Sequence, residues 1–351
     1  MIEHLYQLAA HAWHCGEYDV GREACEKLLA TEGLSKSREE KVRRNRTWYT
    51  RPLRQVIDCE PRFVELLPEV RPGWSRFNPC IIAGDRLPFV NVRSSNYQIV
   101  DGKYVMPPED GETIVTDNIG CTLDPETLAI AIQVRAEAEY ERTAFPVDGL
   151  EDVRLNRVGN ECVVSATVRN AAPHDGTCRI GVARMEHGNH VDLIVRETMD
   201  GIPEKNWMPI LGRREWLYSC SVQGHTATAV EEGDTWRVTI GSPSPAIARG
   251  FRGGSQLVPV GMGQWLCIIH EVAQDGNRRI YEHRFVLFRE DSWRIIGVSE
   301  PFWFREHRAI EFCAGLAVIG GSAVASFGVR DAEAWLAEFP LGAALHAVRM
   351  L

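Results

Sequence analysis

Glu151, Asp152 and Arg154 place two adjacent carboxylates and a guanidinium within one short stretch, behind the lead-in of Gly149 and Leu150. A carboxylate beside a fixed guanidinium can orient a sugar hydroxyl, hold an anion or hand over a proton. The same pattern also occurs in strand-edge turns with a local ion pair, so the chemistry depends on what else is brought to it. Other dense polar groups recur along the chain. They are Asn78 with Arg93 and Tyr97, Asp117 with Asn118, and Glu204 through Trp207. Arg252 through Gln256, His270 with Glu271, Tyr281 through Arg284, and Glu311 with Asp331 follow.

From Asn78 through Asp117, Asp152 and Lys205 to Gly253, the steps approach one four-stranded propeller blade, about 50 residues. The innermost strand of each blade faces the channel, so one motif per blade would converge on the axis. Each group also has a plainer reading. Gly253 and Gly254 suit a turn, His270 a satisfied core position, Trp207 packing, and Asp331 the cap of a helix beginning at Ala332.

The elements that must position these groups fall into two textures. In residues 1–60, Leu5, Leu8, Ala9, Ala12 and Trp13 lie at helical spacing, and Ala24, Cys25, Leu28 and Leu29 resume it after Gly16. This predicts a helical hairpin. Lys36 to Arg54 is strongly basic and predicts a third helix with a solvated face. Pro61, Pro68 and Pro72 mark residues 61–74 as a linker. Residues 75–351 read as short apolar strands separated by Gly, Asp and Asn, which at about 50 residues per blade gives roughly five blades.

The chain has 351 residues, 44% of them hydrophobic and 25% charged, with a formal net charge of −9. That charge argues against nucleic acid or an anionic membrane as the main partner. No apolar run is long enough to span a bilayer. The opening residues lack a basic segment followed by an apolar core, and the ten cysteines contain no C-x-x-C pair. The expectation is a cytoplasmic protein with reduced thiols and no metal site.

The segment Gly149–Arg154 resembles the G-x-E-D-P-R motif of glycoside hydrolase family 130, the β-mannoside phosphorylases and related hydrolases. Phe77 to Pro79 followed by Arg93 is similar to that family's N-P…Y-R opening, and Lys205 to Trp207 to its K-N-W segment. Gly263 to His270 resembles its G-W-L…Y-H-G stretch, and Ala314 to Asp331 its C-G…Y-Y-G-A-A-D ending. The similarity runs in order over about residues 75–340. Val153 stands for the usual Pro, Gln264 is inserted before Trp265, and Glu271 replaces a small residue after the His. Ala12 to Leu29 separately resembles one tetratricopeptide repeat, departing at Gly21, where that family has Ala. A lone repeat must pack on the following segment, the main domain or another chain.

The first resemblance implies a mainly β fold: a five-bladed β-propeller at 75–351 behind a small helical extension. It implies inverting phosphorolysis or synthesis of β-mannosides, with inorganic phosphate or a sugar phosphate as co-substrate and no further cofactor. Asp152 would be the acid, acting partly through a sugar hydroxyl. Arg93, Arg154, Lys205, His270 and Arg284 would form a cationic phosphate pocket. Asn78, Asn118, Glu151, Asn206 and Trp207 would contact sugar, together with Gly254, Ser255, Glu311 and Asp331. Five candidate cations in an acidic protein favour an anionic reactant over water. A hydrolase of the same fold would need Glu271 or Glu311 as base. A transferase using a sugar nucleotide and a non-catalytic glycan-binding propeller are the other readings.

Overall fold

The first helices form because one face of each is apolar and must be covered. In the computed structural model they are α1 (Ile2–His11), α2 (Tyr18–Leu29) and α3 (Lys36–Arg46). The structure describes residues 2–84, 86–100, 102–107, 111–171, 176–186, 188–196, 203–233 and 235–351. Gly16, at φ 76°, ends the turn between α1 and α2, and Ser35 caps α3 by accepting the Arg38 N–H. Among the described residues no helix is long and apolar enough to cross a membrane.

Tyr49 pegs the hairpin, its hydroxyl donating to the Ala9 carbonyl at 3.1 Å and accepting the Trp13 N–H at 3.2 Å. Gly21 allows this, since a Cβ there would lie 2.3 Å from the Tyr49 ring. Alanine normally favours a helix over glycine by about 1 kcal/mol. Gly21→Ala is nevertheless expected to lower the melting temperature, because the Tyr49 ring must shift; an unchanged or raised midpoint by calorimetry would contradict this.

Two expectations about the prefix are corrected. The third helix stops at Arg46, since Pro52 disfavours helix before it and Arg51–Pro52 pairs as extended chain with Phe302–Trp303. Its face is not solvated throughout, because Arg43 and Arg46 are buried.

The rest of the chain is mainly β, in a propeller-like arrangement of antiparallel four-stranded units. Strand β1 (Arg62–Glu65) lies inside the expected linker. The first sheet holds β2 (Ser75–Ile82), β3 (Phe89–Ser95), β4 (Ile114–Leu123) and β5 (Ile130–Ala136). The second holds β6 (Glu151–Val158), β7 (Glu161–Val168), β8 (Arg179–Glu186) and β9 (Asn189–Arg196). The third holds β10 (Met208–Pro209), β11 (Glu215–Val222), β12 (His225–Glu232) and β13 (Thr235–Pro243). The fourth is built on β14 (Val258–Gly261), β15 (Gln264–Asp275), β16 (Arg278–Arg289) and β17 (Arg294–Ser299). The last holds β18 (Glu311–Ile319), β19 (Ser322–Val329) and β20 (Glu333–Pro340), and β1 completes it by pairing with β20. The segment after Asp331 is therefore a strand, and the helix expected at Ala332 is not formed.

One core joins the prefix to the third and fourth sheets: Cys25, Leu28 and Leu29 of α2 share it with Met208, Leu217, Cys267 and Val286. Fully burying a leucine is worth about 1.5–3 kcal/mol. Of the partners considered for the helical prefix, the main domain is one it packs on.

Candidate functional site

Strands β2 and β6 each carry a bulge, with register shifts between Phe77 and Cys80 and between Glu151 and Arg154. Within these bulges Asn78 takes φ 46° and Asp152 φ 51°. Non-glycine residues held in the left-handed region cost free energy, and a bulge re-aims its side chain. Asn206 and Asp331 have the same unusual backbone, at 59° and 51°.

The re-aimed side chains meet. Asn78 Nδ2 donates to Asp152 Oδ1 at 2.8 Å, and Arg93 Nη1 donates to the same oxygen at 3.0 Å. Arg93 Nη2 donates to Glu151 Oε1 at 2.6 Å, so one guanidinium fixes both carboxylates. Its plane lies over the Phe77 ring at 4.9 Å. Burial works to raise the Asp152 carboxyl, but Arg93, Arg154 and the Asn78 hydrogen bond hold it below the usual carboxylate range. Asp331 shifts the other way: burial, reinforced by the charge of Asp152, lifts it against the pull of Arg93. Tyr97 donates its hydroxyl to Asp331 Oδ2 at 3.0 Å. Two carboxyls whose proton affinities are pushed apart suit separate roles in one site.

Arg154 is 2% exposed. Its Nε donates to the Gly254 carbonyl at 3.2 Å, Nη2 to Asn206 Oδ1 at 3.1 Å and Nη1 to the Asp152 carbonyl. All three acceptors are neutral, and among the described residues no carboxylate lies within ion-pair distance. Gly254 makes its contact possible, since a Cβ there would sit 2.2 Å from the Ile268 carbonyl oxygen. Burial lowers the Arg154 pKa, outweighing the support of its counter-charge Asp152, which is felt through space and not by direct ion pairing.

Of the other expected cations, His270 borders this group in surroundings that oppose a positive charge. It is buried, stacked on Tyr281 at a ring distance of 5.2 Å, and burial with Arg252 and Arg154 nearby drives its pKa well below the ordinary value. Lys205 is exposed and makes no ion pair with another described residue. Arg284 is not in the pocket: its Nε donates to Glu271 at 2.6 Å, and its Nη atoms donate to Glu26 at 2.7 Å each. It ties α2 to the fourth sheet.

Several expected sugar contacts are occupied in other ways. Trp207 is 2% exposed and packs against Trp236 and Tyr218, with ring distances of 5.4 and 5.5 Å. Asn118 donates to the Leu150 carbonyl at 2.9 Å, which positions the chain entering Glu151. Ser255 donates to the Gln256 carbonyl. Glu311 accepts the N–H groups of Phe304, Arg305 and Glu306 at 2.6, 2.7 and 2.8 Å, and burial pushes its carboxyl up to about 7 against their pull. Glu271 is locked between Arg43, Arg46 and Arg284, so neither glutamate considered as a hydrolytic base is free to act.

The structure adds residues that the sequence reading did not assign. Tyr281, Arg252 and Arg279 lie within electrostatic reach of the site. Arg252 and Tyr281 stood within dense polar groups of the sequence but were given no role there, and Arg279 carried no signal because an arginine on a strand pair looks like any surface ladder. No cluster of metal-ligating side chains occurs among the described residues.

No protein-family profile matches the chain, and no curated protein sequence matches it. Solved structures do. A β-1,2-mannobiose phosphorylase from Listeria innocua, in complex with β-1,2-mannobiose, aligns at 12% identity and TM-score 0.55 over 85% of this chain and 98% of that one. A mannose phosphorylase from Leishmania mexicana, in complex with phosphate ion, aligns at 14% identity and TM-score 0.50 over 83% and 91%. A structure described among GH130 glycoside hydrolases that target β-1,2-mannosidic linkages in Candida mannan aligns at 13% identity and TM-score 0.55 over 80% and 94%. At these identities the likeness is one of fold.

Proposed function

We propose that this chain is a carbohydrate-active enzyme of the family 130 type on a five-bladed propeller, exchanging a mannosyl group between a β-mannoside and phosphate. The observation that carries this reading is Arg154, a buried guanidinium with neutral acceptors only, two residues from Asp152. Phosphate seats there, with His270 as a neutral neighbour and Arg252 at the rim. The sugar lies against Asn78, Asp331 and Asn206, the groups held by left-handed backbone.

In the reaction a phosphate oxygen attacks the anomeric carbon as the bond to the leaving oxygen breaks on the opposite face. The leaving oxygen takes its proton from Asp152 through a sugar hydroxyl. Against its burial, the two arginines hold the Asp152 carboxyl below the usual carboxylate range, so the proton it passes on enters with the dihydrogen form of phosphate, and the arriving anion has a second effect. It offsets the field of Arg154 and raises the proton affinity of Asp152 when the donor is needed. No metal is required in this scheme, and the co-substrate is inorganic phosphate or a sugar phosphate.

The test is to incubate the protein with mannose 1-phosphate and a panel of mannoside acceptors and to follow phosphate release. Mannose released from a mannoside without phosphate would indicate a hydrolase. Turnover only with a sugar nucleotide would indicate a transferase, and binding without turnover a glycan-binding propeller. Within the phosphorylase reading, Arg154→Ala is expected to raise the KM for phosphate at least about tenfold, the loss of one charge-assisted contact. An unchanged phosphate dependence would remove Arg154 from the anion site.

A further inference from the structure

A second group of cations lies near Arg154. A cleft of about 560 Å³ opens between α3 and the chain around Arg249–Arg252 and Val272–Gln274. Lys36, Lys41 and Arg44 line it from the helix, and Arg252 lines it from the propeller. None of the four makes an ion pair with another described residue. Arg43 also lines it; it is 7% exposed, paired with Glu271 through Nη1, and its Nη2 makes no hydrogen bond but lies 3.9 Å from Glu39 Oε2. Glu39 is engaged by Arg249 at 2.5 Å, which leaves Glu40 as the free carboxylate of the lining. In a chain of net charge −9 this is a local excess of positive charge.

The cleft also borders the candidate site. Arg252 pairs with His270 through backbone hydrogen bonds of 2.9 and 3.1 Å. Two residues on, the Gly254 carbonyl accepts Arg154 Nε. Arg252–Gly254 thus runs from the lining of the cleft to the carbonyl that holds Arg154. The volume suits a small ligand rather than a nucleic-acid backbone, which needs a broad basic face.

We propose that this cleft binds the phosphate of a phosphorylated sugar, separately from any anion at Arg154, with the Arg43 Nη2 floor and the Lys41 and Arg44 arms as its ligands. Its reading as an acceptor subsite rests on the proposed function; the phosphate binding itself does not. The helical prefix, by this account, supplies a recognition element that the propeller alone lacks.

Equilibrium binding of mannose 6-phosphate and of mannose tests the proposal, because the two differ only in a phosphate away from the reacting carbon. The wild type is expected to bind mannose 6-phosphate at least tenfold more tightly than mannose. Lys41→Glu combined with Arg44→Glu is expected to abolish the difference with an unchanged melting temperature, as both side chains are exposed. A preference that survives in the double variant, or that Arg154→Ala abolishes instead, overturns the proposal. So does equal binding of the two sugars by the wild type, or binding of an RNA oligomer in place of the sugar phosphate. Because turnover is not read, a protein inactive on every mannoside that still shows the preference keeps this cleft and loses the functional reading.

Discussion

Asp152→Asn is expected to lower turnover about 10³-fold, within the range for losing a positioned general acid, while the melting temperature stays within about 2 °C. The substitution keeps the shape of the side chain and an oxygen to accept from Asn78 and Arg93. Arg93 is not left without a counter-charge, because its Nη2 still meets Glu151 at 2.6 Å. The fold therefore has little reason to respond, and the lost property is the ability to carry a proton. The pH dependence carries further information. In the free protein Asp152 is held below the usual carboxylate range, so the limb of kcat/KM that reports it, on which activity falls as pH rises and the acid loses its proton, lies at acid pH. That limb is expected to vanish in the variant. Full activity in Asp152→Asn would end the assignment of Asp152, whatever became of the fold.

The second large effect concerns the junction between helices and propeller. Arg43, Arg46 and Arg284 face Glu26, Glu271 and Glu282, three charges of each sign. Arg46 is fully buried and reaches Glu282 at 2.6 Å and Glu271 at 2.9 Å. Those two glutamates stand opposite each other on β15 and β16, an unfavourable pair that Arg46 neutralises. Removing one member strands its partners, so Glu271→Gln is expected to cost about 3–5 kcal/mol, measured as a fall in melting temperature. Acid should act in the same direction. Burial opposes the ionised forms of Glu271 and Glu26, yet the arginines hold both below the ordinary range. Depressed carboxylates stabilise the fold above their unfolded values near pH 4.3, and that contribution fades as pH falls through the lower folded values. Proteolysis of the helical prefix should accelerate below about pH 4, and Glu271→Gln should blunt that response. A variant as stable as the wild type would mean the network contributes little.

How far the site was legible depended on which face of a strand each residue takes. Asn78, Arg93, Glu151, Asp152, Arg154, Asn206 and Gly254 stood out as dense polar groups near blade spacing, and the structure gathers them. His270 and Glu271 also stood out, but neighbours on a strand point to opposite faces. His270 turns toward Tyr281 and Phe312, and Glu271 toward α3. No reading of Arg284 could tell it from a phosphate ligand without knowing that Glu26 on a distant helix covers its face. The alternating apolar texture marked the strands, whereas Arg62–Glu65 was hidden by flanking prolines and by pairing with β20 near the far end of the chain. The departure at Glu271 from the family 130 pattern acquires a physical reason, since that residue serves the helices. Gly21 does so as well, because Tyr49 needs the space.

The pairing of β1 with β20 sets a timetable for synthesis. Arg62 leaves the ribosome long before its partner Glu338 exists. At ordinary translation speeds the delay is roughly 15–50 s. For that interval β1 is an unpaired edge, open to joining a neighbouring nascent chain. Its two ends are charged and exposed, Arg62 and Glu65, and they discourage such a mispairing until the last sheet is made.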